Sequence, residues 1–126
     1  MKKFNFILSL YFIPFDIVVS FEQTDKELLE FLNILGHSNA ECSELFNMSE
    51  LTRGRCILLN SNYIVMRFVY QSKMCDMIDV ISHESSHATI FIFDKLNQRL
   101  EVGINDEFFS YIQSYIVKEI YKKIEK

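Results

Sequence analysis

Apolar and polar positions change period several times along this chain, and each change marks an element. Phe15 to Phe21 is a nearly continuous apolar, β-branched run and predicts a strand. Thr24-Asp25-Lys26-Glu27 then has the form of a capping box, in which a Thr hydroxyl and a Glu carboxylate each accept a backbone N–H. Leu28, Leu29, Phe31, Leu32 and Leu35 give one apolar face, and Gly36 offers a left-handed stop, so a helix is predicted over 25–35. Residues 37–53 have no clean period and predict a loop with a short helical turn at Ser43–Phe46. Two strands, 55–59 and 63–70, flank Asn60-Ser61-Asn62 and predict a hairpin. In the second, Ile64, Met66 and Phe68 alternate with Tyr63, Val65, Arg67 and Val69.

From Asp76 to about Leu96 the period turns helical, with Met77, Val80, Ile81, Glu84, Ala88, Phe91 and Ile92 on one stripe. Residues 97–103 connect it to a last helix that Asn105 or Asp106 can cap and that runs to about Ile124. Its inward positions are Phe108, Phe109, Ile112, Tyr115, Ile116 and Ile120. The order strand, helix, hairpin, helix, helix predicts an α+β domain. It has a small antiparallel sheet of three or four strands packed against the 76–96 helix and the C-terminal helix. At 126 residues the chain has the size of a single domain, 1–126, with no internal repeat.

The N-terminus alone allows two readings. Lys2 and Lys3 followed by Phe4 to Phe15 resemble the basic start and apolar stretch of a secretory leader. Pro14 and Asp16 interrupt that run, no small-residue cleavage site follows, and the favoured reading makes the segment part of the sheet. The same two residues leave too few consecutive apolar positions for a membrane span. Cys42, Cys56 and Cys75 are odd in number and lack a C-x-x-C pair, so a reducing cytoplasm is expected. A net charge of −4 leaves no electrostatic footprint for nucleic acid. The lysines at 118, 122, 123 and 126 alternate with Glu119 and Glu125, as on a solvated helix end.

Candidate chemistry gathers in one place. His83-Glu84-Ser85-Ser86-His87 reads H-E-x-x-H and holds two of the three histidines. Residues four apart on a helix stand one above the other, so both imidazoles can close on one metal ion while Glu84 faces a water beside it. That set suits a metal-dependent hydrolase: two nitrogen ligands, an activated water and a carboxylate base. A catalytic zinc also needs a third protein ligand. The chain after His87 lacks the third His of the metzincin pattern, and Asp94 lies about 10 Å along the helix, too far to reach the ion. The acids left are Glu101, Asp106, Glu107 and Glu119. Glu107 is favoured because it opens a helix expected to lie antiparallel beside the motif helix; Asp106 is the fallback. Tyr111, one turn beyond Glu107, could offer a phenol to a developing oxyanion. His37, just past Gly36, is read as a helix-end residue and the cysteines as buried thiols.

The H-E-x-x-H stretch, followed twenty residues later by Glu107-Phe108-Phe109-Ser110-Tyr111, resembles the small gluzincins. It is similar in particular to the short zinc metallopeptidase-like proteins encoded by phages and prophages of gut bacteria. The resemblance implies a minigluzincin-like fold with Zn²⁺ held by His83, His87 and Glu107. It also implies Glu84 as the base in peptide-bond hydrolysis, on a peptide or protein substrate inside a bacterial host. The larger substrate-cleft subdomains of full-size peptidases have no counterpart here. The competing reading is a non-catalytic phage structural or interaction protein, with a phage protein partner and a structural or vestigial zinc site.

Overall fold

Phe15–Phe21 forms β2, the strand on which the molecule is organised. Ile17, Val18, Val19, Ser20 and Phe21 are all fully buried, which requires a covering layer on both faces. The computed structural model, describing residues 3–10, 12–60 and 63–125, supplies both. Phe4–Leu10 is β1, Gly54–Leu58 is β3 and Tyr63–Phe68 is β4. They form one four-stranded sheet in the order β1-β2-β4-β3. Phe4–Leu10 of the apolar N-terminal run is therefore a strand, with Leu8 and Leu10 buried. Of the leader-like start, Lys2 and Tyr11 lie outside the described residues, as do Ser61 and Asn62 between β3 and β4.

The fold class is α+β as the periodicity predicts, but the sheet is mixed rather than antiparallel. β1 pairs antiparallel with β2, and β3 antiparallel with β4, while β2 and β4 run parallel, Ile17 beside Ile64 and Phe21 beside Phe68. A parallel pair occurs where both faces of a sheet are covered. β4 meets that condition, with Ile64 through Phe68 buried without a break, and takes the central place; β3 is only partly buried and becomes an edge.

One face of the sheet carries α1, Asp25–Ile34, and a single-turn 3₁₀ helix, Ser43–Leu45. Leu28, Leu32, Cys42 and Leu45 pack there against Val18, Val65 and Ile57. The capping box forms: the Glu27 amide donates to Thr24 Oγ1 at 3.1 Å and the Thr24 amide to Glu27 Oε1 at 2.9 Å. Gly36 ends the segment at φ +96°, a backbone region that disfavours residues with a Cβ. Arg67, 7% exposed, crosses under this layer and donates to Asp25 Oδ1 (2.6 Å), Leu45 O (2.7 Å) and Gln23 O (2.9 Å). Arg55, its neighbour across β3 and β4, donates to Glu44 O and Phe46 O. The polar segment before β3 is thus held by two guanidinium groups.

The other face carries α2, Met74–Lys95, and α3, Asp106–Ile124. Met77, Val80, Ile81, Ala88 and Ile92 of α2 join Ile112, Ile116 and Ile120 of α3 over Ile17, Val19, Ile64 and Met66. The helices are antiparallel neighbours: Gln113 Nε2 donates to Ser86 Oγ at 2.7 Å, while Phe93 meets Phe109 at 5.1 Å between ring centroids. No helix among the described residues is long and apolar enough to cross a membrane.

Candidate metal centre

Both motif histidines stand on the solvent-exposed side of α2. His83 and His87 are exposed, with their Nε2 atoms 3.3 Å apart and their rings inclined at 74°. Two nitrogens about 2.05 Å from a tetrahedral ion would lie about 3.3 Å apart, the separation that this pair shows. With no ion, that contact is a hydrogen bond in which one ring must be the donor and the other the acceptor tautomer.

Glu84 turns the other way, under the edge strand, and is 7% exposed. Burial pushes its carboxyl above the usual carboxylate range, while His83, His87 and Arg55 pull in the opposite direction without cancelling that effect. Gly54, the first residue of β3, makes the approach feasible. A Cβ there would lie 2.8 Å from Val80 Cγ1 and 3.1 Å from Glu84 Cγ. Gly36 and Gly103 have positive φ, so their reason is conformational, whereas Gly54 is required by space. A cleft of about 230 Å³ opens here, lined by Thr52, Arg53, Gly54, Asp79, Val80, His83 and Glu84. Cys56, also on β3, has its thiol pushed up by burial first and by the nearby Glu84 charge second, so it is not a ready thiolate ligand.

The C-terminal helix does not bring its expected residues to the pair. α3 presents Phe109 and Gln113 to α2, and Glu107 lies about 120° round the helix from Gln113. Glu107 is exposed, near the far end of α2 rather than beside His83 and His87. Asp106, the fallback, accepts the Gly103 amide at 2.8 Å and organises the loop instead. Tyr111 is 53% exposed and packs edge-on to Phe12 at 5.6 Å, about 160° round from Gln113. Among the described residues, no group of three His, Cys, Asp or Glu side chains is placed to hold a metal. His37 is buried beside Glu41 (3.4 Å) and Tyr63, away from the motif.

No local pattern in the chain points to a role for Gly54, Arg53 or Arg55. A glycine at the start of an apolar strand signals a close approach, but nothing local says to what. No family model matches the chain, and no curated protein and no solved structure is significantly similar to it.

Proposed function

We propose that this protein is a zinc-dependent hydrolase of peptide bonds, with a two-histidine metal centre on α2. The observation that carries the reading is the 3.3 Å separation of the His83 and His87 Nε2 atoms beside a cleft walled by Glu84. Both donors are borderline nitrogen ligands of the kind zinc accepts. Bound there, the ion would supply Lewis acidity, lowering the pKa of water and polarising a carbonyl. His83 and His87 would hold it through Nε2. Kinship with the small gluzincins, a cytoplasmic setting in a bacterial host and a phage or prophage origin belong to the same proposal; the free thiols Cys42, Cys56 and Cys75 support the setting.

The chain's own part in the chemistry is to move a proton and fix geometry. Glu84 takes a proton from the attacking water and returns it to the leaving amine. Its raised pKa suits that exchange, because a base works best when its pKa is close to the working pH. Gly54 lets β3 press on the Glu84 stem, so the carboxylate has little freedom to turn away. The Gln113–Ser86 hydrogen bond holds the motif turn of α2 against α3. Two imidazoles would fill two positions of a catalytic zinc, which takes a third protein ligand beside its water. A structural zinc would require two further protein donors beyond that pair and a catalytic one a single further donor, so the pair is nearer to the catalytic complement.

The test is turnover of a peptide library by zinc-loaded protein. Glu84→Gln is expected to keep the metal and lose cleavage by about 10²–10⁴-fold, whereas His83→Ala should lose both. Full cleavage by pure Glu84→Gln protein would reject the mechanism.

A further inference from the structure

Arg53 lies in the cleft that Glu84 and His83 also line, and its side chain has little to do there. Its backbone is fixed, since Arg53 O accepts the Val69 amide at 3.0 Å, so the guanidinium starts from a set position. Its ion partner is Asp79, with Arg53 Nη2 3.2 Å from Asp79 Oδ2 and the side chains 46% and 70% exposed. A single contact between two solvated groups contributes little to stability, so either group can be exchanged for another partner at small cost. Arg55, by contrast, is committed to the Glu44 and Phe46 carbonyls. Among the described residues, Arg53 is therefore the cation in this cleft that can exchange its partner for a ligand.

Its position gives a register. Asp79 precedes His83 by one helical turn on the same face of α2, about 6 Å along the axis. An extended peptide advances about 3.3 Å per residue, so that offset corresponds to about two residues. A guanidinium offers five N–H donors in a fork that fits a carboxylate, and one contact to Asp79 leaves most of them available. Resting on the hydrolase reading above, we infer that Arg53 selects peptides with an Asp or Glu side chain about two residues from the scissile bond. Asp79 is the internal competitor that such a carboxylate displaces.

The experiment measures binding separately from turnover. Zinc-loaded full-length protein is titrated by calorimetry with three peptide hydroxamates, X-Ala-Gly-NHOH, where X is Glu, Gln or Lys; the hydroxamate is a metal-directed anchor. Glu is expected to bind about fivefold tighter than Gln, with Lys weakest. The difference should vanish in Arg53→Ala, reverse in Arg53→Glu and widen in Asp79→Asn. Equal binding of the three by wild type, persistence of the Glu preference in Arg53→Ala, or binding of none of them would overturn the inference. A Glu preference that depends on Arg53, together with no cleavage of any peptide library, would support this selectivity while rejecting the hydrolase reading.

Discussion

The two faces of the sheet treat buried charge in opposite ways. Under α1, Arg67 is buried with three acceptors within 2.9 Å, and every one is supplied by the loop or helix it supports. Under α2, Glu84 is equally buried, yet no protein hydrogen bond among the described residues holds its carboxylate, and burial raises its pKa. Beside it stand two exposed histidines whose closest polar contact is each other. A buried charge that is fully paired stabilises a fold; one left short of partners costs stability and is retained where chemistry requires it. On this criterion the buried charge on the α1 face belongs to the architecture, and the one on the α2 face marks where the proposed site lies.

Substitutions should separate the two faces. Arg67→Ala strips three bonds and leaves Asp25 and two carbonyls short of a donor, and about 2–4 kcal/mol of stability should be lost in urea unfolding. Zinc affinity of the folded fraction should not change; a parallel loss of zinc affinity would mean the faces are coupled. Gly54→Val places carbon where Val80 and Glu84 already lie, and about 1–3 kcal/mol should go, this time with turnover. An undiminished rate in that variant would show that β3 does not position Glu84.

A pH series sharpens the contrast more gently. Burial tends to raise the Asp25 pKa, but the Arg67 contact, the Asn47 amide and the charges of Arg67 and Arg55 outweigh it and hold the carboxyl low. A depressed folded-state pKa adds stability above the unfolded value, near 3.8, and that stability is lost as pH falls through the folded-state value. Wild type should therefore exceed Asp25→Asn in stability at neutral pH and converge with it in acid. A constant gap down to about pH 2 would contradict the pairing. The smallest effects belong to Glu107→Ala and Tyr111→Phe, which should leave zinc affinity and turnover within about twofold, because neither side chain stands with the pair. A tenfold loss of zinc in Glu107→Ala would return that residue to the coordination shell.

Local signals in the sequence were reliable where the structure is local. The Thr24–Glu27 box, the Gly36 stop, the alternation of β4 and the stripe on α2 each depend on neighbours within a few residues. The His83–His87 geometry follows from the same helical rise. Legibility ended where distant segments meet. The hairpin pairs β3 with β4 as expected, but which of them joins β2 depends on burial of both faces, which no short window contains. Antiparallel packing of α3 beside the motif helix, the reason for favouring Glu107, does not fix how far the two helices are offset. In the structure Gln113, not Glu107, meets Ser86. Gly54, Arg53 and Arg67 have meaning only through residues more than twenty positions away.

Zinc titration of the metal-free protein by calorimetry, repeated with His83→Ala and His87→Ala, tests the metal centre most directly. One ion per chain should bind to wild type, and either substitution should abolish binding while leaving the unfolding midpoint of the apo-protein unchanged. Wild type that takes up no zinc, or variants that bind it as well as wild type, would contradict a metal centre on α2.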